Sequence, residues 1–239
     1  MADGAAIAAA AMQQDVQRMN IISHNLANAL TPAYKRAWPV STSFSAMMSG
    51  HATVNDNQVP DIIPVADFRA APSRHTGNSL DLAIEGDGFF ELQDGTGASY
   101  TRQGSFNLDA TGRLVAPDGA TIAGMAGDIH LDSASVRIDR TGRIYEKDNL
   151  AGQLKLVQFN DASKLVPAGQ GRYKQGAATA APALDAVSVR QGQVEASNVI
   201  APDEMVRLIE TMRHFEGGQK VIQWYGDMMD QVLSRLGQY

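Results

Sequence analysis

EMVRLIETMRHFEGGQKVIQWYGDMMDQVLSRL, running from Glu204 to Leu236, decides how the rest of the chain is read. Met205, Leu208, Met212, Phe215, Gln219, Ile222, Gly226, Met229, Leu233 and Leu236 keep an alternating three-four spacing, and eight of these ten are apolar. That period lays a narrow stripe along a helix, as in a coiled coil. Pro202 suits a first helical turn, and Asp203 and Glu204 put negative charge where the helix dipole favours it. The spacing therefore predicts a helix from about residue 202 to the end. Gly217-Gly218 stand inside it, and paired glycines cost about 2 kcal/mol relative to alanine in a helix interior, which leaves room for a bend there.

Burying one stripe does not offset the entropy of ordering so long a helix, so this one needs a partner. The chain supplies one at its other end. From about Ala5 to Leu30 there is neither Gly nor Pro, and Met12, Val16, Met19, Ser23, Leu26 and Leu30 alternate by four and three. Thr31 precedes Pro32 and is pushed out of the helical region, which ends this helix near Leu30. Its stripe is short and partly Ala and Ser, so neighbouring subunits are expected to complete the cover. An ordinary helical hairpin within one chain has the same periodicity.

Between the helices the pattern changes to period two. Leu80, Leu82 and Ile84 alternate with Asp81, Ala83 and Glu85, as in a half-buried strand whose carboxylates face solvent. Strand-like runs continue at Ser99–Leu108, Arg113–Ala116, Val136–Asp139, Arg143–Glu146, Leu154–Phe159 and Val187–Glu195. Asp109-Ala-Thr-Gly-Arg113-Leu114 recurs as Asp139-Arg-Thr-Gly-Arg143-Ile144, which predicts two similar hairpins. Residues 37–79 carry Pro39, Pro60, Pro64 and Pro72 with little periodicity and read as an extended connector. The fold class is α+β: residues 1–36 and 198–239 pair as a coiled-coil-like helical domain, and residues 80–197 form a central, mainly antiparallel β domain.

Composition excludes several classes of function. Twenty Lys and Arg stand against 26 Asp and Glu, a net charge of −6 with no basic run, so no nucleic-acid partner is expected. Without cysteine there is neither a disulfide nor a thiolate metal site. No apolar run reaches the ~20 residues of a membrane span, and the first dozen residues do not read as a cleavable signal peptide. The five histidines show no metal-ligand spacing, and neither a nucleotide-binding glycine loop nor a nucleophile elbow is present. The expectation is a non-enzyme without metal, cofactor or catalytic residue.

Three ordered blocks carry a resemblance. Ile22-Ser-His-Asn25-Leu26-Ala27-Asn28-Ala-Leu-Thr-Pro-Ala-Tyr34-Lys35 resembles the "NNLAN…T.GFK" signature near the start of flagellar rod and hook proteins. Leu80 to Phe90, with Tyr100-Thr-Arg102-Gln-Gly104-Ser-Phe106, is similar to that family's β-domain signature. Gln191 to Val199, continuing through Glu204 to Ile222, is similar to its closing signature. Two departures stand out: Ala33-Tyr34 replaces the usual Gly-Phe, and Gly217-Gly218 falls in a segment that is normally continuous helix.

The resemblance implies a structural subunit of the bacterial flagellar basal-body rod, polymerising into the hollow shaft that carries torque from motor to hook. It sits closer to proximal than to distal rod members, with a hook-type axial protein as an alternative. Implied partners are other copies of the chain, neighbouring rod proteins and the flagellar type III export apparatus, with hook and bushing-ring proteins adjacent. The implied location is the periplasm-spanning rod, reached without signal cleavage. Asn25, Leu26, Asn28, Met205, Leu208, Met212, Phe215, Ile222, Met229, Leu233 and Leu236 are the expected subunit-interface residues. The asparagines would satisfy backbone groups at the helix end or across subunits. Rival readings are an exported peptidoglycan hydrolase and a monomeric binding module.

Overall fold

The computed structural model describes residues 3–41, 62–95, 97–147, 149–183 and 187–236, without the side chains of 3, 229 and 232–236. Contacts divide them into two compact units: the described parts of Met1–Ala27, Ala37–Val65 and Ile200–Tyr239, and those of Asn28–Arg36 and Ala66–Val199.

In the first unit, helix α1 (Asp3–Ala27) packs along helix α2 (Ala201–Leu236). α2 runs as one helix through the paired glycines. The helices pack closely there: a Cβ on Gly218 would stand 2.8 Å from Met12 Cγ, so the missing side chain lets them approach. The row of α2 that α1 covers is Ala201, Glu204, Leu208, Thr211, Phe215, Gly218, Ile222 and Tyr225. Leu208, Phe215 and Ile222 belong to the predicted stripe, whereas Met205 and Met212 lie outside the covered row. On α1 the most buried residues are Asp15, Ile21, Ile22 and Asn25, while Val16 and Ser23 are exposed. Both seams are displaced by one position because polar side chains occupy them, and an apolar pattern counts those as surface. A two-stranded sheet of Ala37–Ser41 and Ile62–Ala66 completes this unit.

α1 ends at Ala27 rather than Leu30. Thr31 N–H donates to the Asn28 carbonyl at 3.1 Å and the Thr31 hydroxyl to Asn28 Oδ1 at 3.2 Å, so a turn begins three residues early and leaves Leu30 in solvent. Ala33 then takes a φ of 55°, the left-handed region that favours glycine.

The second unit is antiparallel throughout. Its largest sheet centres on Gly88–Asp94, which pairs with Gly97–Thr101, Thr121–Gly124 and Leu156–Phe159. Phe89 and Phe90 point to opposite faces and enter different cores. Phe90 packs with Leu82, Leu92, Phe106, Ile122 and Ile144, and Phe89 with Tyr100, Val157, Phe159 and Tyr173. Two-sided burial explains why this strand reads as an apolar run rather than an alternation. The expected solvated face of Leu80–Glu85 is covered likewise, since Asp81 and Ala83 are buried and only Glu85 reaches water.

The two echoed loops are the same turn. Oδ1 of Asp109 accepts from the Thr111 amide, the Thr111 hydroxyl and the Arg113 amide, and Oδ1 of Asp139 does the same with Thr141 and Arg143. Gly112 and Gly142 both have a φ of 78°. Within residues 37–79 the described part is not simply extended. Ser73–His75 pairs with Gln193–Glu195, and residues 66–79 belong with the β unit rather than a separate connector. Residues 42–61 of that stretch lie outside the described residues.

Candidate functional site

Each sequence block contributes one charged group to a buried cluster in the β unit. Lys35 Nζ stands 2.6 Å from Glu195 Oε1, and Arg102 Nε stands 2.7 Å from Glu195 Oε2. All three residues are at most 3% exposed, so the charges are fully withdrawn from water. Their remaining hydrogen-bonding capacity goes to backbone. Lys35 donates to the Arg69 carbonyl, Arg102 to the carbonyls of Ile84, Gly86 and Gly88, and Glu195 accepts the Ala71 amide. Buried charges persist only when paired and hydrogen-bonded in this way. Burial works against ionisation of Glu195, but the Arg102 and Lys35 cations outweigh it and hold the carboxyl below its ordinary range. Burial pushes the Lys35 ammonium down, with Glu195 partly offsetting it.

Asn198 extends the cluster by accepting the Arg36 amide at 2.7 Å and donating to the Asp67 carbonyl at 2.8 Å. The cluster therefore ties the segments 33–36, 67–71 and 195–198 together. Its geometry is structural, since every charge faces another charge or a backbone group. The open cleft of about 590 Å³ on the same unit, lined by Asp94, Asp118, Arg113 and Arg172, is likewise self-paired through Arg172 to Asp94 and Asp118. Among the described residues no group of three or more acidic or histidine side chains could hold a metal. No described helix is long and apolar enough to cross a membrane.

The helical unit holds a second polar arrangement. Asn25 Nδ2 donates to Glu204 Oε2 at 3.0 Å and to the Ala37 carbonyl at 2.9 Å, and its Oδ1 accepts the Ala37 amide at 2.9 Å. Asn25 thus clamps backbone within its own chain, the first of its two expected roles, and is 1% exposed. Asn28 closes the turn after α1, and Leu26 is half-buried. Leu208, Phe215 and Ile222 face α1. Met205 and Met212 are exposed, at 50% and 47%. Met229, Leu233 and Leu236 have side chains outside the description.

Sequence reasoning missed the outward apolar residues Val206, Ile209, Val221, Trp224 and Met228, of which Trp224 is 71% exposed. Val221, Trp224 and Met228 are themselves spaced by three and four, a second stripe that the first one obscures. Lys35, Arg102, Glu195 and Asn198 stand within the three sequence blocks but had no role assigned from sequence. The signal was present, because charged residues embedded in apolar or glycine-rich motifs call for partners.

Two family descriptions match the chain. "Flagellar hook protein FlgE/F/G D1 domain" covers residues 83–146, and "Flagellar basal body rod FlgEFG protein C-terminal" covers residues 190–236. The flagellar basal-body rod protein FlgG of Agrobacterium fabrum is 30% identical over 97% of this chain and 98% of its own length. FlgG of Buchnera aphidicola subsp. Acyrthosiphon pisum is 34% identical over 92% of this chain and 93% of its own. The rod protein FlgF of Caulobacter vibrioides is 30% identical over 92% of each.

Proposed function

The chain belongs to the flagellar basal-body rod protein family, and on that premise we propose that it is a non-enzymatic subunit of the rod, joined to its neighbours through the outward face of α2. The observation that carries the reading is similarity to rod proteins over nearly the whole of both chains. The physical support is the face itself. Met205, Ile209 and Met212 lie to one side of the row that α1 covers and Val221, Trp224 and Met228 to the other, so the outward surface of α2 carries two apolar strips, and such surfaces mark interaction sites. By sequence spacing Leu233 continues the heptad of Met205 and Met212, whereas Met229 and Leu236 continue that of Leu208, Phe215 and Ile222.

The proposed partners are further copies of the chain and other rod proteins, with delivery by the flagellar type III apparatus and no signal cleavage. Relatives bearing two different rod-protein names match at similar identity and coverage. A position nearer the proximal end of the rod remains part of this proposal on the strength of the Arg213-His-Phe-Glu216 and Lys220-Val-Ile222 segment.

Phe215 and Ile222 are half-buried in the row that α1 covers, so their substitution would also disturb the helix pair. The double variant Met212→Glu, Trp224→Glu changes only exposed positions. In a strain lacking the wild-type chain it is expected to leave cells non-motile, although its circular dichroism matches wild type. Motility at wild-type level would overturn the proposed face. Reproducible cleavage of peptidoglycan by the purified chain would instead favour the hydrolase reading.

A further inference from the structure

We propose that the largest sheet is closed to strand addition by a second copy of the chain, and that Pro167 and Pro182 are the residues that close it. A strand at the end of a sheet presents a row of unpaired N–H and C=O groups, onto which a strand of another molecule can pair. Among the described residues four strands end this sheet: Val166–Gly169, Ala180–Pro182, Asn107–Leu108 and Gly127–Asp128. The last two are only two residues long and offer too little ladder to template another strand. The first two are longer, lie mostly in solvent, and each carries a proline.

The register shows which way each proline points. Pro182 stands opposite Val157, and the next residue, Ala183, donates its N–H to the Leu156 carbonyl at 3.1 Å. Bonded and non-bonded pairs alternate along an antiparallel ladder, so position 182 is a non-bonded one whose nitrogen is aimed away from the sheet. Pro167 stands opposite Tyr173. Having no N–H, it cannot belong to a bonded pair, so its nitrogen is aimed outward as well. Both prolines therefore sit where an incoming strand would need a donor.

The rest of the first edge is withdrawn too. The Leu165 N–H, next on the outward side, is taken by the Ala162 carbonyl at 3.1 Å. After Pro167 the ladder shifts register, and Gly169, Gln170 and Gly171 turn the chain with φ of 85°, 53° and 71°. The closure matters because Val166, 52% exposed on this edge, is the apolar β-branched kind of residue on which strands pair readily. On the second edge Ala180 keeps its outward N–H, so Pro182 alone interrupts the row. Copies held side by side thus cannot join sheet to sheet, whatever surface does join them, and the inference is independent of the rod assignment.

The test is the double variant Pro167→Thr, Pro182→Thr of the full chain, which restores both outward N–H groups with a residue that favours strands. Concentrated samples are followed with a cross-β-binding fluorescent dye, and backbone hydrogen exchange is read by mass spectrometry. Wild type is expected to leave the dye dark. The double variant is expected to raise its fluorescence about tenfold or more, with new protection at 165–168 and 180–183 and unchanged protection in the core strand Gly88–Asp94. A variant that leaves the dye as dark as wild type does, or aggregates in which Gly88–Asp94 has lost its protection, would overturn the proposal, the second because the chain would then be joining through unfolding rather than through its edges.

Discussion

Ala33 shows how a single residue can be held against its own preference. Its φ of 55° costs an L-residue about 1–2 kcal/mol, and in that conformation its N–H donates to the Glu195 carbonyl at 2.8 Å. Ala33→Gly is accordingly expected to raise the stability of the β unit by about 1 kcal/mol in urea unfolding, and a loss of stability would contradict the strain assigned here. Gly104 is the opposite case. A Cβ there would lie 1.6 Å from the Leu82 carbonyl oxygen, and Leu82 N–H already bonds the Gly104 carbonyl at 2.8 Å. Gly104→Ala should cost more than about 3 kcal/mol, because backbone rather than a flexible side chain would have to move.

At Glu195 the sign of the pH dependence follows from the depressed carboxyl. A group whose folded affinity for protons is lowered contributes stability above its ordinary value of 4.5 and loses it as pH falls through the folded value. Wild type should therefore weaken below about pH 4.5. Glu195→Gln should be destabilised by about 3–5 kcal/mol at pH 7, since it leaves Lys35 and Arg102 buried without a counter-charge, and its acid dependence should be shallower. Chemical denaturation at pH 7 and pH 4 measures both.

At the scale of elements, α2 was legible because ten positions repeat one spacing, but its facing was displaced by one residue. Glu204, Thr211 and Gly218 lie in the covered row and read as surface, while Met205 and Met212 lie outside it and read as core. Asp15, Asn25 and Glu204 carry the reason: a seam built around paired polar groups has no apolar signature. The same physics hid the strands. Short segments such as Arg172–Lys174 and Ala180–Pro182 are fixed by ladder neighbours distant in sequence, which no local pattern records. The echoed Asp-x-Thr-Gly-Arg loops were readable because their hydrogen bonds close within five residues. For α2, Gly217 and Gly218 should behave differently. A Cβ on Gly217 meets nothing within 4 Å, so Gly217→Ala should stabilise the helix by about 1 kcal/mol. Gly218→Ala should gain nothing, because its methyl meets Met12.

For the whole molecule, the sequence carried the fold class and the family through three separated blocks, and the structure shows what those blocks share. Lys35 comes from the first, Arg102 from the second and Glu195 from the third, and they meet in one buried cluster. The candidate interface was only partly legible. Burial within the chain had to be known before the outward apolar face of α2 could be separated from the face that α1 covers. The central claim is that this outward face joins one rod subunit to the next. A photo-crosslinking amino acid placed at position 224, followed by purification of basal bodies and mass spectrometry, tests it most directly. The account predicts that the chain is recovered in the basal-body fraction with position 224 joined to another rod subunit; its absence from that fraction, or recovery there without any intermolecular adduct, would contradict it.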